Sequence, residues 1–353
     1  TGGAAGTLGA QRINQAIEKL SEIRDQFPKS EYKCYIDVFG FSRGAAMARD
    51  FINEMYRKRR RLIFTFKFVG LFDTVGSFGL AGNNINYKPI TNEDPETDTI
   101  KYDISGATFP SRYYEPYNFN LSPRSAEKIV HFIALDEYRK NFPLSDTQGA
   151  GLSYYFIGAH SDIGGGYANV EYESLFDYAL GNNLIQAEKK LGKPEDGIQF
   201  GKDWQCKVDE NVYGNSSPYN NFRILCRGAR EVTDDLQKVT LVAMYNLAIM
   251  ENVPFINDIP QNYQDVPFSP DDTSILLKWT KELREYYEIA TTNISSLKLL
   301  IGGQTAFNNQ SELHTRTFFH RSILAKYAHN SSISSFADKT PPFNLKSTKP
   351  YFL

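Results

Sequence analysis

The chain has 353 residues, and its 39 Lys plus Arg against 41 Asp plus Glu leave a formal charge of −2 at neutral pH. That balance offers no electrostatic footprint for nucleic acid, and no basic stripe with interleaved aromatics is present. The length suffices for a substantial core in one large or two modest domains. No apolar run is long enough to span a bilayer, and none reads as a signal peptide, so a soluble protein is expected.

Thr1 to Gly9 is small and glycine-rich. Ile13, Ile17, Leu20, Ile23 and Phe27 then recur at helical spacing up to Pro28, which predicts an amphipathic helix. Lys33 to Phe39 is apolar and strand-like, and it runs into Gly40-Phe41-Ser42-Arg43-Gly44 and a helix over about Arg43 to Lys58. Strand, Gly-x-Ser-x-Gly and helix in that order form a nucleophile elbow. A serine on so sharp a turn sits in a strained backbone, and Gly40 and Gly44 are expected to relieve collisions two residues to either side. The rival reading is a tight turn whose serine caps the helix. Arg57 to Arg61 is a dense basic run at the helix end. Cations suit the dipole there, and contact with membrane headgroups is the alternative.

Ile63 to Thr74 predicts a second strand, alternating at first and then nearly all apolar, as in the buried centre of a parallel sheet. Gly76 to about Arg124 lacks periodicity and reads as a long surface excursion, its aromatic tract Tyr102 to Phe119 suited to capping a groove. Lys128 to Leu135 and Tyr154 to Gly158 predict two further strands. The last ends in Ala159-His160-Ser161-Asp162-Ile163-Gly164-Gly165-Gly166-Tyr167. Beyond it, helical patterns dominate at Ser174 to Leu191, Thr233 to Met250 and Asp272 to Thr291, with loops at Asn211 to Phe222 and Asn257 to Pro270. These expectations divide the chain into an α/β core over 1–170 and a helical, capping region with the C-terminal segment over 171–353.

A serine hydroxyl needs an imidazole to take its proton, and the imidazole needs an acceptor to fix its tautomer. In α/β-hydrolases the order is Ser, then Asp or Glu, then His, each at a strand's carboxyl end. Ser42, Asp73 and His160 meet that order as nucleophile, orienter and general base, with the backbone amide of Arg43 as one oxyanion donor. Asp162 is the competitor for the orienting role. His160-Ser161-Asp162 also admits a metal-ligand reading, but no second His or carboxylate stands at ligand spacing; no metal or cofactor is expected. Gly164 to Gly166 could hold an oxyanion or let a loop pass close to the site. His131 reads as a core imidazole, Asp37 as hydrogen-bonded structure, and Asp136 with Arg139 as a structural ion pair. His314, His320 and His329 have no strand-end context. Cys34, Cys206 and Cys226 lack metal spacing, and one bond between Cys206 and Cys226 is compatible with the pattern.

Four motifs are much narrower than the generic elbow: Gly-Phe-Ser-Arg-Gly-Ala at 40–45, Leu-Phe-Asp-Thr-Val at 71–75, Ala-Leu-Asp-Glu at 134–137 and Gly-Ala-His-Ser-Asp-Ile-Gly-Gly-Gly-Tyr at 158–167. Together they resemble the α/β-hydrolase family that includes the first class of type VI secretion lipase effectors and their uncharacterised bacterial and fungal relatives. Glu251 to Phe255, and Phe319 to Ser322, resemble its later region more weakly. The resemblance implies cleavage of membrane glycerophospholipid esters at the first or second acyl position by Ser42, Asp73 and His160. It also implies delivery by a contractile secretion apparatus to a rival cell's envelope, a spike-protein partner and a cognate immunity protein. The elbow strand is normally fifth in this fold. Here one helix precedes it, so further strands, and the loop supplying a second oxyanion amide, are expected elsewhere in the intact molecule, with Gly2 or Gly3 as weaker substitutes. The same triad would serve a carboxylesterase or thioesterase, and a hydrolase-fold binding module without catalysis is the reading from another class.

Overall fold

The computed structural model describes residues 9–28, 31–57, 64–76, 117–137, 139, 142–181, 204–209, 222–256, 258–264, 268–300, 315–329 and 331, with backbone alone at 173–181, 204–209, 222–230, 289–300 and a few single positions. Helix α1 (Gly9–Asp25) leads to strand β1 (Cys34–Phe41), helix α2 (Arg43–Arg57), and strands β2 (Phe64–Phe72), β3 (Lys128–Ala134) and β4 (Leu152–Phe156). A short helix α3 (His160–Gly164) follows β4. Then come β5 (Val170–Gly181), β6 (Trp204–Asp209), β7 (Phe222–Thr233), α4 (Asp235–Met250), α5 (Gln261–Gln264), α6 (Pro270–Leu300), β8 (Thr315–Phe318) and α7 (Arg321–Tyr327).

One sheet runs β1-β2-β3-β4-β8, every neighbouring pair parallel. Parallel strands need both faces covered, and here both are. Ile13 and Ile17 of α1 and Ala45, Ala46, Ile52 and Met55 of α2 pack on Phe64, Phe66, Val69 and Leu71. On the other face Met244, Leu247, Leu283, Tyr287 and Ile323, from the later helices, pack on Phe68, Phe132, Tyr154 and Phe156. In β2 the inward phase changes between Phe66 and Val69, where the register shifts against Ile36 and Val38. Two residues of β2 there oppose Asp37, and its Oδ1 accepts the Phe68 N–H at 3.0 Å. The carboxylate satisfies an amide that the bulge takes off the ladder, the structural role read for Asp37.

The second half of the chain departs from the helical reading. Residues 174–181, expected to open a helix, lie in β5, which pairs antiparallel with β7, itself paired with β6. Val170, Tyr172, Phe176 and Tyr178 fall on alternate positions interrupted by Ser174, and aromatic and β-branched residues at that period suit a pleated strand with a partner. Residues 182–191 of that expected helix lie outside the described residues, as does most of the 211–222 loop; Phe222 itself begins β7. Cys206 and Cys226 are register partners between β6 and β7, while Cys34 is a free thiol. β8 adds a fifth strand beside β4 from residues read as C-terminal segment. Of the Gly76 to Arg124 excursion, residues 77–116 lie outside the described residues; Tyr117 and Phe119, read as part of a cap, are instead buried against α2 and the sheet. Of the basic run, Arg57 pairs with Glu54, and 58–61 lie outside.

Asp272 at the start of α6 fastens this layer. Its carboxylate accepts from Ser269 Oγ, Ser322 Oγ, Lys326 Nζ and Tyr327 OH at 2.5 to 3.0 Å. Burial alone would raise its pKa, but Lys326 and the three hydroxyls outweigh it and hold the group well below the usual range. The folded pKa lies under the unfolded one. The stabilisation is therefore complete above the unfolded value of about 3.9 and is lost as pH falls from there through the folded value. Urea unfolding should show a gap between wild type and Asp272→Asn that is constant near neutrality and narrows steadily as pH falls below about 5. A gap independent of pH would contradict this account.

Candidate active site

The carboxyl ends of β1, β2 and β4 carry Ser42, Asp73 and His160. Ser42 has φ 58°, a left-handed conformation that costs a non-glycine residue roughly 1–3 kcal/mol unless its surroundings impose it. They do so from both sides. Its N–H donates to Phe72 O at 3.0 Å, and its carbonyl accepts from Ala45, Ala46 and Val75 at 3.1 to 3.3 Å. A Cβ on Gly40 would stand 2.6 Å from Gly44 O and 2.7 Å from Ala45 Cα, whereas one on Gly44 would meet nothing within 4 Å among the described residues. The expectation that both glycines relieve collisions therefore holds only for Gly40, whose missing Cβ lets the strand approach the backbone of Gly44 and Ala45. Gly40→Ala should lose about 1–3 kcal/mol in urea unfolding, and Gly44→Ala should change stability by less than about 0.5 kcal/mol. Equal losses in the two would contradict the elbow geometry.

Asp73 is also left-handed, at φ 34°. Its N–H donates to Phe132 O at 2.7 Å, and its Oδ1 accepts the Ala134 N–H at 3.0 Å. Beside it, Thr74 N–H and Oγ1 meet His131 Nε2 at 3.1 and 3.0 Å. Complete burial, aided by Arg49, holds the His131 pKa well below its usual value. The ring is thus neutral, with Nε2 accepting from the Thr74 amide. His131 is a core imidazole as read, but it also braces the residue next to Asp73.

Asp73 Oδ2 meets His160 Nδ1 at 2.6 Å, both side chains 4% exposed. A carboxylate can only accept, so Nδ1 carries a proton, and in the neutral ring that tautomer leaves the Nε2 lone pair free. The ring lies between Phe41, at 4.5 Å between centroids, and Phe142, at 5.0 Å. Phe41 is the residue before Ser42, so elbow and histidine loop are packed directly together. Gly164 makes room for this contact: a Cβ there would fall within the Phe41 ring. The His160 N–H donates to Glu137 Oε2 at 3.2 Å. Glu137 holds Arg139 through two hydrogen bonds of 2.8 Å, and that guanidinium lies 3.7 Å over Phe142. Burial opposes both charges, yet the pairing lowers the Glu137 pKa and raises that of Arg139.

Several neighbours differ from the sequence reading. Arg139 pairs with Glu137 rather than Asp136, whose Oδ2 accepts the Gly158 N–H. Asp162 turns to His329, with Nδ1 2.7 Å from Oδ1. Asp162 and His160 therefore point to different partners instead of converging on one ligand position. The Gly166 and Tyr167 amides donate to Gln237 Oε1 at 2.9 and 3.3 Å, so the glycine run docks its loop onto α4. Arg43 opens α2 at the elbow, its amide in the helix's first turn. Gly2, Gly3 and His314 lie outside the described residues. His320 caps α7 by accepting the Ser322 N–H. Arg49, Glu137, Gln237 and His329 were not foreseen. The contacts that tie them to the site reach across the chain, from 23 residues for Glu137 with His160 to 167 for His329 with Asp162, and no local spacing marks them.

Residues 50–182 match the family model described as T6SS, Phospholipase effector Tle1-like, catalytic domain. The stretch is Tle1-like, as the motifs suggested. It contains Asp73 and His160, with Ser42 just ahead of it. Among solved structures, that of the Tle1 effector bound to the VgrG spike from the type 6 secretion system aligns at 23% identity and TM-score 0.54, over 92% of this chain and 64% of that one. An uncharacterized protein from Pseudomonas aeruginosa aligns at 18% identity and TM-score 0.34, over 80% of this chain and 34% of that one. No curated protein matches. This chain thus spans less than two thirds of the Tle1 effector chain. The parallel sheet and the Tle1 likeness make the fold an α/β-hydrolase, and no described helix is long and apolar enough to cross a membrane.

Proposed function

We propose that this Tle1-like chain is a serine phospholipase that hydrolyses acyl esters of membrane glycerophospholipids. One observation carries the reading: the buried 2.6 Å contact of Asp73 and His160, packed through Phe41 against an elbow serine. Ser42 Oγ attacks the ester carbonyl as His160 Nε2 takes its proton. Asp73 holds the imidazole in the required tautomer and stabilises its cation. The Arg43 amide stabilises the oxyanion. His160 then returns the proton to the departing lysolipid alkoxide, and water releases the fatty acid by the reverse sequence. On this reading residues 1–170 carry the chemistry and 171–353 cover it.

A fluorophosphonate probe should label wild type and leave Ser42→Ala unlabelled, and wild type should release fatty acid from phosphatidylethanolamine–phosphatidylglycerol vesicles. Unlabelled wild type would favour a binding module without catalysis. Label together with turnover of short soluble esters but none of phospholipid would favour a carboxylesterase or thioesterase. The Tle1 effector was solved bound to a VgrG spike, which supports a spike-protein partner for this chain; delivery to a target-cell envelope and a cognate immunity protein are proposed from the motif resemblance alone.

A further inference from the structure

The turn that presents His160 is gripped from behind by a second imidazole and carboxylate. Asp162, in the same short helix, is 1% exposed. Its Oδ2 accepts the N–H groups of Ala159 and His329 at 2.8 and 2.9 Å, and its Oδ1 takes His329 Nδ1 at 2.7 Å. His329 comes from just beyond α7 and is itself 2% exposed. Its ring stacks on Tyr167, centroids 3.5 Å apart and 13° from parallel. Ser331 Oγ donates to Asp136 O at 3.3 Å, and Asp136 Oδ2 accepts the Gly158 N–H at 2.8 Å. His329 directly, and Ser331 through Asp136, therefore hold the two ends of the 158–162 turn.

Packing alone does not account for this arrangement. Burying a carboxylate costs desolvation that apolar side chains of the same volume would avoid. His329 Nε2 is buried with no hydrogen-bond partner among the described residues, a deficit native interiors seldom carry. A phenylalanine would stack on Tyr167 and leave no such orphan. What histidine adds is a second N–H: backbone and ring bind the two oxygens of one carboxylate, fixing the orientation of Asp162. That matters most where a catalytic group must be placed to within a fraction of an ångström.

We infer that His329 is a positioning residue: through Asp162 it sets the turn that holds His160 against Asp73. The inference rests on the serine hydrolase reading above. Its test compares His329→Phe, which keeps the stacking and loses the donor, with His329→Asn, which places an amide N–H near the position of Nδ1. The full chain is assayed on a short soluble ester, well below each variant's unfolding temperature. His329→Phe should lower kcat and the rate of fluorophosphonate labelling by roughly 30-fold with KM nearly unchanged, and His329→Asn should regain most of that loss. Wild-type kcat in His329→Phe, or equal losses in the two variants, would overturn the inference. Should His329→Phe not fold, His329→Gln, whose amide sits one carbon farther out, replaces it in the same comparison. Wild type that takes no label would bring down the hydrolase reading itself, a result distinct from either of these.

Discussion

Ser42→Ala is expected to lower kcat by about a millionfold while leaving the unfolding midpoint where it was. The first half follows from chemistry. Without Oγ there is no acyl-enzyme, and the remaining rate comes from whatever oxyanion stabilisation and binding survive. The second half follows from the elbow. Its hydrogen bonds to Phe72, Ala45, Ala46 and Val75 all use the backbone of Ser42, and alanine bears the left-handed conformation about as well as serine. Asp73→Asn should cost about 10⁴-fold, because an amide can present its N–H to Nδ1 and so favour the wrong imidazole tautomer. Adding Asp73→Asn to Ser42→Ala should change kcat little further, since the residues act as a unit. Steady-state turnover of a short soluble ester measures all three. Additive losses, or an Asp73→Asn variant at the wild-type rate, would mean that Asp73 does not orient the base.

The largest expected effect on stability is at Arg49. Arg49→Met should lower the free energy of unfolding by about 3–5 kcal/mol, read from the urea midpoint. The guanidinium is 2% exposed and sits on the helical face of the elbow. Its Nε and two terminal nitrogens donate to the carbonyls of Phe119, Ser145 and Asp146 at 2.5, 2.6 and 3.0 Å. Burial lowers its pKa to about 10, with Asp146 pulling the other way, so the group stays charged at neutral pH. Methionine fills similar volume but strips those carbonyls of a charged donor, and each acceptor left buried without a partner costs about 1–3 kcal/mol. The damage should extend to the site, because Ser145 N–H donates to Thr74 O and Ser145 Oγ accepts the Gly76 N–H. A midpoint shift worth less than about 1 kcal/mol would show that these segments hold without the arginine.

The elements around the site were readable from sequence because their causes are local. A left-handed serine after an apolar strand needs a glycine before it, and Gly40 is there. Fully buried parallel strands need near-continuous apolar runs, and 64–72, 128–134 and 152–156 supply them. Chain order then singled out Ser42, Asp73 and His160. The reading failed where an element depends on its partner. Residues 174–181 became strand because β7 was available to pair with them, and β8 earned its place only beside β4.

By itself, then, the sequence determined the elbow, the strand ends and the order of the three residues upon them. All of these follow from backbone geometry and apolar periodicity within about ten residues. Tertiary structure alone decided what holds those residues. Asp73 is braced by Ala134 and, through Thr74, by His131; His160 is flanked by Phe41 and Phe142; Asp162 is claimed by a histidine 167 positions away rather than by His160. The physical reason is that hydrogen bonds and ring contacts act over a few ångströms of space, and nothing in residue spacing records which distant segment the fold brings within that range.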